Sequence, residues 1–145
     1  LMRIFTKDAS FESPNSPHIF SGNWQPKHEL NLNTKVRKLE DDSYEVVLSI
    51  TASAKIEEKT AFIVEVHQAG IFGVKGFPEA ELGPLLGAYC ANLLFPFARE
   101  VVSDLVTKGS FPQLVLQPVN FEALFAQHQQ ELAEKTEAQS GTATH

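Results

Sequence analysis

The stretch Gly87-Ala88-Tyr89-Cys90-Ala91-Asn92-Leu93-Leu94-Phe95-Pro96-Phe97-Ala98-Arg99-Glu100, followed by Gly109-Ser110-Phe111-Pro112-Gln113-Leu114, is dense in apolar and aromatic residues. It holds no set of side chains that could run a reaction. Pro96 suits the first turn of a helix, where its missing N–H is not needed and its fixed φ already fits. Behind it, Phe97, Ala98, Val101, Val102, Leu105 and Val106 recur at helical spacing, and Gly109 stops the run, so the spacing predicts a helix over Pro96–Lys108. That much apolar surface around one short helix implies burial against partners on more than one side.

Upstream the pattern is that of strands. Arg3, Phe5, Lys7, Ala9 and Phe11 alternate with Ile4, Thr6, Asp8, Ser10 and Glu12, which predicts a strand with two aromatics on one face and two carboxylates on the other. Pro14, Asn15 and Pro17 break it. A second strand over His28–Lys38 sets Leu30, Leu32 and Val36 against a polar face. Glu40-Asp41-Asp42-Ser43 reads as a hairpin turn into a third strand opened by Tyr44, Val46, Leu48 and Ile50. After the turn Lys55-Ile56-Glu57-Glu58-Lys59, a fourth strand from Thr60 to Gln68 sets Phe62, Val64 and Val66 against Ile63, Glu65 and His67. Short connections imply an antiparallel meander.

The segment from Gly70 to Gly87 carries five glycines and two prolines among Ile71, Phe72, Val74, Phe77, Leu82, Leu85 and Leu86. It reads as a long, partly helical connection, too apolar for disorder. Past the loop Phe111–Pro118, Asn120 is placed to cap a second helix with Phe121, Leu124, Phe125 and Leu132 on one stripe. From Glu134 the chain is Ala, Glu, Gln, Thr, Ser and Gly, expected as a disordered tail over 134–145 after a single domain of 1–133. The expected class is α+β: a four-stranded antiparallel sheet with two C-terminal helices packed on it. No internal repeat is visible.

A chain of 145 residues buries roughly 68–70% of its unfolded surface, enough for a core without staples. One cysteine, Cys90, excludes an internal disulfide and a cysteine-based zinc site, and fits a reducing compartment. The N-terminus enters its alternating strand directly, without a signal-peptide pattern, although Leu1 before Met2 is compatible with a leader ahead of it. The longest apolar runs fall short of the ~20 residues that span a bilayer. A net charge of −6 argues against nucleic acid, whose binding needs Lys and Arg against phosphates, and leaves room for a basic protein partner.

His18, His28, His67, His128 and His145 never fall in metal-ligand spacing, and Cys90 reads as a small buried apolar residue. Gly70-x-x-Gly73-x-x-Gly76 lacks the dinucleotide fingerprint. Two features remain. Asp8 and Glu12 share a strand face, as do Ile63 and Glu65. If the faces coincide they form an acidic patch with an apolar spot, suited to a Lys/Arg-rich partner; a plain solvated sheet face is the alternative. The apolar connection and the Phe121/Leu124/Phe125 helix form core, a subunit interface or an exposed groove.

These segments resemble the bacterial protein-export chaperone family SecB. The resemblance is carried by Ile4-Phe5-Thr6-Lys7-Asp8 with Ser10-Phe11-Glu12, Trp24-Gln25-Pro26, Tyr44-Glu45-Val46-Val47-Leu48, Glu65-Val66 and Gly70-Ile71-Phe72. Further on it includes Gly87-Ala88-Tyr89-Cys90, Leu94-Phe95-Pro96, Ala98-Arg99-Glu100, Phe111-Pro112-Gln113-Leu114 and Pro118-Val119-Asn120-Phe121. It runs from Ile4 to about Phe125, and the Phe-Pro-Gln-Leu and Pro-Val-Asn-Phe blocks are its most specific part.

The resemblance implies a non-enzymatic, cofactor-free homotetramer, a dimer of dimers, that holds precursor proteins unfolded in the bacterial cytoplasm. It implies delivery to the translocation ATPase SecA, whose basic, zinc-carrying C-terminal tail would meet Asp8, Glu12, Ile63 and Glu65. The client groove it implies comprises Trp24, Leu30, Leu32, Ile71, Phe72, Phe77, Leu82, Leu86, Leu124 and Phe125. The helix sandwiched between subunits would present Phe97, Val101, Val102 and Leu105. No metal, nucleic acid or membrane insertion is expected. Two other readings stay open: a small-ligand-binding α+β domain, and a SecB-like chaperone serving a toxin–antitoxin pair.

Overall fold

Strict alternation in the two central strands sets the architecture. The computed structural model describes the backbone of residues 1–143 and the side chains of residues 1–136. Its strands are β1 (Arg3–Glu12), β2 (Lys27–Lys38), β3 (Ser43–Ile56) and β4 (Lys59–Gly73). Val46, Leu48, Ile50, Ala52 and Ala54 of β3 lie directly across from Gly70, Gln68, Val66, Val64 and Phe62 of β4, and these ten residues are buried beneath the helices. The intervening residues form the other, open face of the sheet.

The strand order is β1-β4-β3-β2, with antiparallel neighbours throughout. The expected meander is therefore corrected to a Greek-key order, in which β1 crosses over residues 13–26 to pair with β4. A bulge between Thr6 and Asp8 also divides β1. Ile4 and Thr6 before it, and Ala9 and Phe11 after it, lie opposite core-facing residues of β4, whereas Phe5, Asp8, Ser10 and Glu12 lie on the open face. The two aromatics of β1 thus fall on different faces, because one extra residue reverses the alternation.

Gly70, Ile71 and Phe72 continue β4, so the fourth strand is longer than its glycines imply. A Cβ at Gly70 would stand 2.7 Å from the Phe72 ring and 3.0 Å from Leu94, so this glycine admits close helix–sheet packing. Next come α1 (Glu79–Pro84), a π-helical turn (Leu85–Tyr89), α2 (Cys90–Lys108) and α3 (Phe121–Ala143). Pro96 lies inside α2, not at its start. It and Asn92 are exposed, where water can take the carbonyl left without a proline N–H donor. Asn120 Oδ1 accepts the Ala123 N–H at 3.0 Å and caps α3.

α3 continues through Ala143, so the expected disordered tail is helical over 134–143, and residues 144 and 145 lie outside the described residues. Ala, Glu, Gln and Lys, which fill much of this stretch, are good helix formers. The continuous run Glu79–Lys108 is long and apolar enough, by length and composition, to cross a membrane. Here it is a core helix: Leu94, Ala98, Val102 and Val106 are fully buried within the core.

Candidate functional site

The open face of the sheet carries its charges in rows fixed by register. Glu12 lies opposite Ile63, Ser10 opposite Glu65 and Asp8 opposite His67. Asp8, Glu12, Ile63 and Glu65 therefore share one face of neighbouring strands. Ser49 Oγ lies 2.6 Å from His67 Nδ1, and His67 Nε2 lies 3.1 Å from Glu65 Oε1. With Nε2–H donating to the carboxylate, Nδ1 accepts from the Ser49 hydroxyl, and the Glu65 carboxylate is held in place. The three groups match a hydrolytic triad in composition alone. β3 is hydrogen-bonded on both edges, so its amides serve the ladder and offer no oxyanion hole beside Ser49.

At the other end of this face Glu45 is 7% exposed. Lys7 Nζ donates to its two oxygens at 3.0 and 3.1 Å, and Arg37 reaches it at 3.5 Å. Removing either cation would leave a buried carboxylate short of a partner.

The helix-covered side holds an apolar groove. β2 is an edge strand, and the helices do not fully cover it: Leu30 is 43% exposed and Val36 44%. A cavity of about 670 Å³ lies between β2, the π-helical turn and α3, with Leu32, Leu82, Leu86, Phe121, Leu124 and Phe125 in its wall. A second, of about 620 Å³, continues along β2 past Leu30, Leu114, Leu116 and Val119 and shares Leu32 and Leu124 with the first.

A third surface runs along α2. Tyr89, Leu93, Phe97, Val101 and Leu105 recur every four residues, with Tyr89 58% and Phe97 49% exposed. The neighbouring stripe Cys90, Leu94, Ala98, Val102 and Val106 is buried. Burial pushes the Cys90 thiol up to about 11, which makes it an inert apolar group near neutral pH. Among the described residues no three His, Cys, Asp or Glu gather as metal ligands.

The family model of the preprotein translocase subunit SecB matches residues 1–132. The protein-export protein SecB of Methylococcus capsulatus is 56% identical over 130 residues, covering 90% of this chain and 84% of that protein. The protein-export protein SecB of Nitrosococcus oceani is 58% identical over 133 residues, covering 90% and 81%. The chain belongs to the SecB family. Its function is that of a protein-export chaperone. In fold it is similar to the Mycobacterium tuberculosis SecB-like chaperone, solved with a ChAD peptide from the HigA1 antitoxin. That likeness has a TM-score of 0.66 at 18% identity, covering 81% of this chain and 87% of the other.

Against this SecB scaffold the predicted site residues divide. The four acidic-face residues come together. Of the predicted groove, Leu30, Leu32, Leu82, Leu86, Leu124 and Phe125 line the two cavities. Ile71 is corrected: it lies opposite Arg3 and Glu45, on the open face. Phe72 is buried in the core at 4% exposure, and Trp24 packs 5.5 Å from Phe111 in an aromatic cluster, so neither lines these cavities. Phe77 is exposed ahead of α1 and away from the groove walls. Val102 is also corrected: it is fully buried in the core of the chain and presents nothing at the surface.

Sequence reading missed Tyr89 and Leu93, because a helix begun at Pro96 leaves them outside. Alternation sets His67 on the face of Glu65, two residues away, but not its link to Ser49, which meets it only through the β3–β4 register.

Proposed function

We propose that this SecB-family chain, with 1–133 as its working domain, holds precursor proteins unfolded in the bacterial cytoplasm and delivers them to SecA. What supports this most is that the groove and the acidic face lie on opposite sides of one sheet. One side can then hold a client while the other meets a partner.

The groove takes unfolded chain, since only an unfolded segment exposes apolar side chains along an extended backbone. Burying ~300 Å² of client apolar surface gains on the order of 7 kcal/mol. Much of that is lost in ordering the client, so a single groove holds weakly. Four subunits, assembled through the Tyr89–Leu105 stripe as a dimer of dimers, make later attachments intramolecular and raise avidity by about 10² to 10⁴-fold. A fast-folding protein hides its apolar segments before enough grooves engage.

The face formed by Asp8, Glu12, Ile63 and Glu65 takes the basic, zinc-carrying tail of SecA, with Ile63 as the apolar spot. The zinc belongs to that partner. Release comes from SecA and needs no catalysis by this chain. The test is a pair of variants: Glu65→Lys weakens binding of the SecA tail and spares unfolded precursor, and Leu124→Asp does the reverse. Equal loss of both activities in either folded variant would contradict two separate surfaces.

A further inference from the structure

The open face of the sheet is two-signed, acidic toward one end of the strands and basic toward the other. Read along β2, whose residues fix the rows, Glu29 stands level with Ser53, Ile63 and Glu12. The next row includes Glu65, and the one after it Asp8 and His67. The sign then reverses. Lys35 is level with Val47 and Ala69, and Arg37 with Glu45, Ile71 and Arg3.

Glu45 absorbs part of this positive end, being bonded by Lys7 and approached by Arg37. Lys35 and Arg3 are exposed and have no ion-pair partner among the described residues. A surplus of positive charge therefore remains beside the acidic rows. From Glu29 to Arg37 is eight residues of β2, about 26 Å at about 3.3 Å per residue. A shallow cavity of about 920 Å³ reaches both signs, with Lys7, Lys35 and Arg37 at one end and Asp8, Glu65 and His67 at the other. Lys27 and Lys55, opposite each other beyond the Glu29 row, close the acidic stretch on its far side.

We propose that this face binds one extended polypeptide segment of split charge: a short basic stretch over Asp8, Glu12 and Glu65, and an acidic stretch over Lys35, Arg37 and Arg3. The proposal rests on the reading of the acidic half as a dock for a basic tail, and adds a second, oppositely charged contact to it. A purely basic segment long enough to run on would meet Lys35 and Arg37 and be repelled. The face thus selects for charge order as well as charge, since like charges brought together penalise the wrong partner.

The test uses the full chain and three designs of synthetic peptide labelled for fluorescence anisotropy. One has a Lys/Arg block, a Gly/Ser spacer and an Asp/Glu block spaced to match the rows, in both chain directions. The second replaces the acidic block with Gln, and the third replaces the basic block with Gln. The split-charge peptide, in one direction, binds about tenfold tighter than the basic peptide at low salt, and the advantage shrinks as salt screens it. Lys35→Glu and Arg3→Glu abolish the advantage while holding the basic peptide at least as tightly. Glu65→Lys weakens both.

A split-charge peptide that binds no tighter than the basic one, in either direction, overturns this inference and leaves the basic-tail dock standing. Failure of both peptides to bind overturns the two together. Stacking of two open faces on each other would show as a doubling of mass that Lys35→Glu abolishes, and would equally overturn the peptide reading.

Discussion

Gly87 and Phe125 meet so closely that a methyl group at Gly87 would stand 2.6 Å from the Phe125 ring. That contact seats α3 on the π-helical turn and forms the wall of the groove, since both residues border the larger of the two groove cavities. Gly87→Ala forces the ring and its helix to move, at a cost of about 1–3 kcal/mol. Urea unfolding will show the loss of stability. Unfolded-precursor binding should fall more than SecA-tail binding, because the displaced helix belongs to the groove alone.

The two hairpin turns carry backbone strain that substitution can relieve. Glu57 and Glu58 sit at φ of 48° and 72°, in the left-handed region that Asn and Gly adopt far more readily than Glu. Replacing the pair by Asn-Gly should stabilise the chain by about 1–2 kcal/mol, read as a higher urea midpoint at unchanged slope.

Cys90 reports on the core. Its thiol is raised from an ordinary 9.0 to about 11 by burial, so the folded state holds the proton more tightly than the unfolded. The resulting stability is fully present below pH 9.0 and is lost as pH climbs toward about 11. Near neutral pH, alkylation by iodoacetamide should be about a hundredfold slower in the native protein than in the urea-unfolded chain.

The stripe Tyr89, Leu93, Phe97, Val101 and Leu105 predicts an assembly that charge will break. Phe97→Glu should leave the chain folded by circular dichroism, because Phe97 is 49% exposed, and should break the proposed tetramer into smaller species in analytical ultracentrifugation. An unchanged mass would contradict assembly through this stripe.

Where the sequence was legible, alternation carried the information. Val46, Leu48 and Ile50 against Phe62, Val64 and Val66 define the buried face of the two central strands, and the Asp8/Glu12 face follows from the same period. Non-local effects hid the rest. The bulge at Lys7 reverses β1 without a glycine to announce it. Gly70 reads as a break, yet serves close packing of Leu94 inside a strand. Pro96 imitates a helix start because its favourable first-turn geometry is also compatible with an exposed interior position. The Greek-key order depends on which edge β1 joins, and that choice lies in pairing over some sixty residues, as in Thr6 with Gln68. Ile71 falls on the wrong surface when its strand is ended at Gln68, five residues short of Gly73.

The most direct test of a holding chaperone is calorimetric titration of the full chain with one slow-folding precursor, presented unfolded and then native. Tight binding to the unfolded form alone, weakened by Leu124→Asp and untouched by Glu65→Lys, is the result predicted here. Equal binding to both forms, or to neither, would contradict it.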